Sequence, residues 1–223
     1  MEKLTFHIVT PYWGPEKFLQ ECVHSVKMQT VSSIHHVIID TDRKGACRNH
    51  FEALKNIDPD QNNIIVHLDG DDKFITHKAL EIISKEYENR NVWATYGNYV
   101  SREKSVCRNL PQNTFRESIV DGGWGWSHPR TFRASLIPYL NESSMKDSRG
   151  NWFSSASDVA IFLPILEMAG KDRVKFIDED LVYYRIHPNN DHSNREKLQD
   201  QVRCALELYR MPEYSRLFSL SEG

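Results

Sequence analysis

The sequence is poor in the features that mark several specialised classes of protein. Its four cysteines are widely spaced and include no Cys-x-x-Cys pair, which argues against zinc knuckles and dithiol redox motifs. No stretch approaches the roughly 18 apolar residues of a membrane-spanning helix, and residues 1–12 lack the basic start and apolar run of a signal peptide. We therefore expect a cytoplasmic protein with reduced thiols and no transmembrane segment.

An excess of either sign of charge is also lacking. The 28 basic and 31 acidic residues leave a net charge of −3, so no overall field would hold the chain on nucleic acid or an anionic membrane, although a local basic groove stays open. An apolar share of 39% and a charged share of 26% are typical of globular proteins. We expect one domain over residues 1–223, with nucleic acid an unfavoured partner.

Strand and helix patterns alternate through the first part of the chain. Short β-branched runs predict strands at residues 4–9, 34–39 and 63–68, and apolar residues at helical spacing predict helices at 16–29 and 48–56. This alternation predicts an α/β fold with a mostly parallel central sheet flanked by helices.

Polar residues stand directly after these strands. Thr10, Asp40 and Asp69 each follow an apolar run. Because ligands of such sheets bind beyond the carboxyl ends of the strands, the three positions predict a nucleotide site.

The second half has a less regular pattern. It predicts a helix at residues 78–87, a strand at 92–100, a loop-rich stretch at 105–130, a helix at 157–169, a strand at 174–177, a strand-like segment at 181–186, and a final helix from about 193, where Ser193 and Glu196 form a capping box.

The run Asp69-Gly70-Asp71-Asp72 places three carboxylates at a strand end. Their repulsion is unfavourable unless a cation or solvent relieves it, and magnesium and manganese prefer such oxygen ligands. An EF-hand loop is excluded, because Phe74 and Leu80 stand where that loop requires glycine and glutamate. An acidic turn that caps the next helix remains the structural alternative.

Taken together, the motifs resemble family-2 glycosyltransferases over residues 4–190. The matching strings are Thr10-Pro11-Tyr12, the helix end Ser-Val-Lys-Met-Gln-Thr at 25–30, Asp40, Gly45-Ala46-Cys47-Arg48-Asn49, the Asp-x-Asp within the acidic cluster, Tyr96-Gly97-Asn98-Tyr99 and Tyr184-Arg185-Ile186-His187. After Asp40 the chain departs from that family, since Thr41-Asp42-Arg43 replaces its usual Asp-Asp-Gly-Ser run.

The resemblance implies a GT-A, Rossmann-like fold that binds a nucleoside-diphosphate sugar and a divalent metal, manganese or magnesium. Residues 1–100 would form the nucleotide-sugar half, 101–190 the acceptor side and 191–223 a C-terminal helix. Asp40 would contact the base, and Asp69 and Asp71 the ribose and the metal-bound diphosphate, with Asp71 as a direct metal ligand. The residues expected on the donor side are Thr10, Pro11, Tyr12, Asp40, Lys44, Arg48, Asp69, Gly70 and Asp71. The alternative for Lys44 and Arg48 is that they are solvent-exposed side chains at the start of a helix.

The same resemblance implies the catalytic base and a further metal ligand. Asp158 matches the acidic residue that opens a helix after the acceptor loop, where it would take a proton from the acceptor hydroxyl. Its alternative is structural, because the helix dipole favours an aspartate in the first turn. His187 would join Asp69 and Asp71 at the metal, with His192 as second choice.

The glycine-rich run at residues 122–130 suits the acceptor side. Trp124 and Trp126 could stack against a sugar ring, or either could pack in the core. His128 and Arg130 belong to the same set, and Arg130 or Arg133 could face an acidic acceptor or the donor phosphates.

These expectations favour a metal-dependent inverting glycosyltransferase that uses a UDP-sugar and a hydroxyl of a glycan, a lipid-linked glycan or another acceptor. One alternative is a sugar-nucleotide nucleotidyltransferase, which the lack of a glycine-rich basic loop after the first strand disfavours. The other is a non-catalytic sugar-binding module, which the acidic cluster and Asp158 disfavour.

Overall fold

A computed structural model describes residues 3–12, 14–40, 46–102, 104–105, 115–116, 125–188, 190 and 195–220. The elements in these ranges are β1 (Thr5–Tyr12), α1 (Glu16–Lys27), β2 (Ile34–Asp40), α2 (Ala46–Lys55), β3 (Asn63–His67), β4 (Lys73–Phe74), α3 (Ala79–Tyr87), β5 (Ala94–Ser101), β6 (Lys104–Ser105), β7 (Arg130–Arg133), α4 (Ser157–Ala169), β8 (Val174–Tyr183) and α5 (Arg195–Arg210). Short 3₁₀ turns lie at Ala134–Tyr139, Glu142–Met145 and Lys171–Arg173. Within the described ranges, no helix is both long and apolar enough to cross a membrane.

One sheet joins the strands in the order β2-β1-β3-β7-β5-β8-β4, with β6 beside β5. The pairings of β1 with β2 and β3, and of β5 with β8, are parallel. β7 runs antiparallel to both of its neighbours, and so links two groups of strands that point in the same direction. The predicted α/β fold with a mostly parallel sheet and flanking helices is confirmed.

Apolar side chains cover both faces of the sheet. On one face, alternate residues of β1 and β3, including Phe6, Ile8 and Ile64, pack with buried residues of α1 and α3. On the other face, residues such as Val9 and Ile65 pack with α2, α4 and α5. Strands that are covered twice read as continuous apolar runs, which is why the sequence pattern located them.

β7 and the full length of β8 differ from the sequence expectations. The loop-rich assignment missed β7, since two of its four residues are arginines although the whole strand is buried. β8 joins the predicted segment 174–177 to the first three residues of the segment 181–186 and ends at Tyr183. An acidic stretch, Asp178 to Asp180, interrupts its apolar pattern, and two register shifts against β5, one on each side of Asn98, accommodate the extra residues of β8.

Buried arginines anchor two regions of the fold. Arg133 is 1% exposed and donates hydrogen bonds to the carbonyls of Val92, Gln61, Tyr87 and Asn89. Its guanidinium therefore faces backbone, and the expectation that it meets an acceptor or the donor phosphates is wrong. Arg116 pairs with Glu167 and donates to carbonyls at the end of α5, namely those of Leu208, Tyr209, Met211 and Pro212.

Gly97 on β5 allows the segment before β7 to approach closely. A Cβ atom at this position would lie 2.6 Å from Cδ of the Pro129 ring, which is rigid. We expect Gly97→Ala to lower the free energy of unfolding by about 1–3 kcal/mol, because either the ring or the strand must shift. Denaturant unfolding would measure it, with Gly14→Ala as control, where the new Cβ would make an ordinary 3.5 Å contact with the Tyr12 ring. Equal stabilities of the two variants would contradict this prediction.

Candidate active site

The acidic run lies beside the end of β1, at the carboxyl edge of the parallel strands. In the β1–β2 register Tyr12 is opposite Asp40, the last residue of β2. After β3 the chain continues along β1, where the Leu68 amide donates to the Val9 carbonyl at 3.2 Å and the Gly70 amide to the Pro11 carbonyl at 3.0 Å. The strand ends therefore converge as the sequence predicted.

Gly70 has a steric reason to be glycine. A Cβ atom there would lie 2.6 Å from Cδ2 and 2.8 Å from Cβ of Tyr12. The Tyr12 ring thus packs directly on the backbone of the acidic run, and its hydroxyl donates to the Gly14 carbonyl. Thr10 is fully buried, and its hydroxyl shares a 2.9 Å hydrogen bond with Nε2 of His36, which connects β1 with β2.

Asp71 meets the segment that follows β8. Its Oδ2 lies 2.9 Å from Nε2 of His187 and accepts a hydrogen bond from the side-chain amide of Asn190 at 3.3 Å. The Phe18 ring of α1 lies 5.2 Å from the His187 ring. The structure therefore brings together Asp71 and His187, two predicted metal ligands that are 116 residues apart in sequence.

Asp72 is buried, and it fastens the same segment to the acidic run. Its Oδ1 accepts a 2.9 Å hydrogen bond from the Arg185 amide, while Nε of Arg185 donates to the Asp71 carbonyl. Burial, together with Asp71 and Asp69, raises the pKa of Asp72 well above its ordinary value.

Glu21 of α1 completes this attachment. The carboxylate accepts hydrogen bonds from Arg185 at 2.7 Å and from Lys73 at 2.9 Å. The two cationic donors lower the pKa of Glu21 to about 2. α1, the acidic run and the segment after β8 are thereby tied at one point.

A second donor group lies on the other side of the acidic run. Oxygens of Asp69 and Asp72 and a nitrogen of His128 lie within 4.8 Å of one another. Nε2 of His128 is 3.6 Å from Asp69 and 3.9 Å from Oδ2 of Asp72, an oxygen that is buried without a hydrogen-bond partner. Burial, with the neighbouring Arg130, holds the pKa of His128 well below its ordinary value, which favours the neutral imidazole that binds metals. The orphaned oxygen and the neutral imidazole fit a divalent cation.

Asp158 faces this group across Arg130. Ala156, directly before α4, adopts a left-handed φ of 57°, and Asp158 stands in the first turn of the helix. Its Oδ2 accepts a 2.9 Å hydrogen bond from Nη1 of Arg130, whose Nη2 lies 3.7 Å from Oδ2 of Asp69. One guanidinium therefore connects the predicted base with the acidic run.

Two other predicted site residues, Arg48 and Trp126, lie away from this group. Arg48 turns to solvent and pairs with Glu52 at 2.8 Å along α2. Trp126 is 1% exposed and packs edge-on against Tyr96 and Phe115, which gives it the core position that the sequence left open. Lys44, Trp124, His192 and the side chain of Asp40 lie outside the described residues.

Two buried histidines lie behind the site. The rings of His50 on α2 and His67 on β3 are 4.2 Å apart, and none of their four nitrogens has a hydrogen-bond partner. His67 is the register partner of Arg130. Burial first, and then the nearby Arg130, lowers the pKa of His50 to about 3.

Sequence reasoning missed four contributors to the site. Glu21, Asp72, Arg185 and Asn190 hold the metal-side residues in place. Arg185 and Asp72 stand inside two of the sequence motifs, and those motifs could have identified them as site residues. Glu21 lies on a helix and has no motif around it.

Comparisons of sequence give no relatives: no protein-family model matches the chain, and no curated protein does. Comparison of structures does find similar folds. The TarS 1-349 structure from S. aureus in complex with UDP-GlcNAc has 14% identity and a TM-score of 0.57 over 84% of this chain and 60% of that one. This chain thus spans less than two thirds of the TarS structure.

Two further structures match over more of their length. The mannosyltransferase PcManGT from Pyrobaculum calidifontis, in complex with GDP-Man and Mn²⁺, has 12% identity and a TM-score of 0.59 over 96% of this chain and 66% of that one. Glucosyl-3-phosphoglycerate synthase from Mycobacterium tuberculosis, with Mn²⁺, UDP-Glc and glycerol 3-phosphate, has 10% identity and a TM-score of 0.56 over 98% and 88%. The predicted GT-A fold is confirmed by this shared architecture.

The buried state of His50 predicts acid sensitivity of the fold. The folded-state pKa of about 3 lies below the ordinary 6.5, so the unfolded chain binds a proton first as the pH falls below 6.5. Each such histidine should cost about 2 kcal/mol of stability between pH 7.5 and pH 5. In His50→Leu we expect that share of the pH dependence to vanish, while the exposed control His24→Ala keeps the slope of the parent. Urea unfolding at both pH values would measure it, and an unchanged slope in His50→Leu would contradict it.

Proposed function

We propose that the protein is a metal-dependent, inverting glycosyltransferase that moves a sugar from a nucleoside-diphosphate donor, with UDP-sugars favoured, to a hydroxyl group. The observation that carries the proposal is the pairing of Asp158 with the acidic run across Arg130, in a fold shared with proteins that bind UDP-GlcNAc, GDP-Man and UDP-Glc. Asp158 and Asp69 are about one-third exposed, 31% and 34%. Both carboxylates are therefore accessible to substrates.

Asp158 acts as the general base in this proposal. As the acceptor oxygen attacks the anomeric carbon, its proton passes to the Asp158 carboxylate, and the bond from that carbon to the diphosphate oxygen breaks. Inversion follows because attack comes from the face opposite the leaving group. The oxygen that Arg130 does not bind is the one that we expect to accept the proton.

The metal would be held by residues of the acidic run and their imidazole partners. Asp71 with His187 lies on one side, and Asp69 with Asp72 and His128 lies on the other. A bound manganese or magnesium ion would stabilise negative charge on the diphosphate as a Lewis acid. Arg185 and Asn190 keep the Asp71 side in place.

The other assignments follow the predicted division of the chain into a donor half and an acceptor side. Residues 1–100 would bind the donor, with Tyr12 packed on Gly70 as one wall, and residues 101–190 would bind a glycan, a lipid-linked glycan or another hydroxyl acceptor. A reducing cytoplasmic location is supported by Cys22, Cys47 and Cys204, which are buried free thiols.

Binding of the nucleotide should depend on Asp71. We expect Asp71→Ala to weaken the affinity for UDP with manganese by about 10-fold or more, because uncompensated phosphate charge would then face the remaining carboxylates. Titration calorimetry with UDP and GDP, with manganese or with chelator, measures it. Glu88→Ala is the control, an exposed carboxylate just after α3, at the opposite edge of the sheet. Equal affinity with manganese and with chelator would exclude the metal-dependent site.

Transfer should depend on Asp158 far more than binding does. We expect Asp158→Asn to slow transfer by about 100-fold or more, with folding and UDP affinity nearly unchanged, because asparagine keeps the size and an oxygen for the helix start. A radiolabelled-sugar assay on a panel of acceptors gives the rate, and NMR of the product gives the anomeric configuration.

Glu142→Gln serves as the matched control, since Glu142 is an exposed carboxylate paired only with Lys146 among the described contacts. Normal transfer by Asp158→Asn would make Asp158 a structural residue, and a product with retained configuration would exclude the inverting mechanism.

A further inference from the structure

Arg130 is a buried cation between two partly exposed carboxylates of the proposed site. Its side chain is only 3% exposed, whereas its two carboxylate partners, Asp158 and Asp69, are 31% and 34% exposed. The guanidinium therefore lies behind the carboxylates. A group buried in this way does not reach a substrate that enters from the solvent side.

Arg130 forms ion pairs with Asp158 and Asp69, and the buried carboxyl of Asp72 is a further electrostatic neighbour, whose pKa is raised by burial and by Asp71 and Asp69. Nε of Arg130 has no hydrogen-bond partner among the described residues, and the buried imidazoles of His128, His67 and His50 are electrostatic neighbours whose pKa values are lowered by burial. A buried cation is costly unless it is paired. The pairs with Asp158 and Asp69 are thus the interactions that keep the guanidinium in place, and the 2.9 Å hydrogen bond to Asp158 is closer than the 3.7 Å contact with Asp69.

Arg133 offers a direct comparison in the same strand. Both arginines lie in β7 and both are almost fully buried, at 2% and 1% exposure. Arg133 donates to backbone carbonyls, which anchors the fold, whereas Arg130 donates to a carboxylate of the proposed catalytic site. Arg133 therefore supports the backbone, whereas Arg130 contacts a side chain that takes part in the proposed reaction.

We propose that Arg130 is a positioning residue for transfer: it fixes the Asp158 carboxylate in one orientation and sets its place relative to Asp69 on the acidic run. This inference rests on the proposed function of Asp158. Without the guanidinium, Asp158 is a partly exposed side chain at a helix start that is free to change rotamer, and its repulsion with Asp69 is unscreened. A base that is displaced by about 1 Å loses much of its rate advantage.

The proposal differs from a direct contact between Arg130 and the acceptor, which the sequence suggested. Loss of an acceptor contact would raise the KM for the acceptor. Loss of positioning would lower kcat and leave that KM and the affinity for UDP with manganese unchanged.

The test is a double-mutant cycle. Steady-state transfer is measured for the parent, Arg130→Gln, Asp158→Asn and the double variant, with UDP binding followed by calorimetry and melting temperature followed in parallel. We expect Arg130→Gln to lower kcat about 10- to 100-fold with the acceptor KM within about 2-fold, and to have no further effect in the Asp158→Asn background. Arg130→Lys should restore part of the rate, since it keeps the charge.

Arg133→Lys is the matched control for burial. It should lower the melting temperature and leave kcat per folded molecule unchanged. If Arg130→Gln does not fold, Arg130→Lys is compared in the parent protein and in Asp158→Asn. A loss of rate that occurs only when Asp158 is present supports the proposal.

Three results would overturn the proposal: an equal fold-loss from the arginine substitution in both backgrounds, an increased acceptor KM with unchanged kcat, or a normal rate in Arg130→Gln. Normal transfer by Asp158→Asn alone would instead refute the assignment of the base, whatever the arginine variants show.

Discussion

Mutual repulsion among Asp69, Asp71 and Asp72 is the constraint around which the site is built. Each carboxylate receives compensation from a different part of the chain: Asp69 from β7, Asp71 from His187 after β8, and Asp72 from the amide of Arg185. Because the sources are distant in sequence, relief of this repulsion requires the whole sheet to be assembled. The acidic run is thus a place where folding and the capacity to hold a cation depend on the same contacts.

Buried arginines in this fold donate hydrogen bonds to backbone carbonyls, which apolar side chains cannot do. Arg116 donates hydrogen bonds to the last carbonyls of α5, those of Leu208 and Tyr209. Arg133 donates to the carbonyls of Tyr87 and Asn89, at the end of α3 and just after it. A planar fork with five donors can serve several acceptors at once, which lysine cannot reproduce. The fold therefore uses arginine where loops and helix ends meet the core, and the candidate site has the same residue type between two carboxylates.

The sequence was informative where burial was continuous and where motifs stood at strand ends. It located β1, β2, β3 and α4 closely. It also named Asp71 and His187, which lie in contact, and Asp158, which Arg130 links to Asp69. β7 could not be found, because its buried arginines resemble a solvated loop. The length of β8 was obscured by its acidic middle. Arg48 and Trp126 show a further limit: the spacing of a motif does not tell which way a side chain turns, since neighbouring packing decides that.

The alternation of side chains along β7 has a consequence for how this chain can change in evolution. Arg130 and Phe132 lie on one face of the strand, and Thr131 and Arg133 on the other. Insertion or deletion of one residue before this strand could shift its pairing by one position and exchange the two faces. Each guanidinium would then leave its acceptors and be buried uncompensated, a change that commonly costs several kcal/mol. A shift of two positions would keep each arginine on its own face but would move its guanidinium about 7 Å along the strand, away from the same acceptors. The two arginines therefore fix the pairing register of β7 as well as its faces.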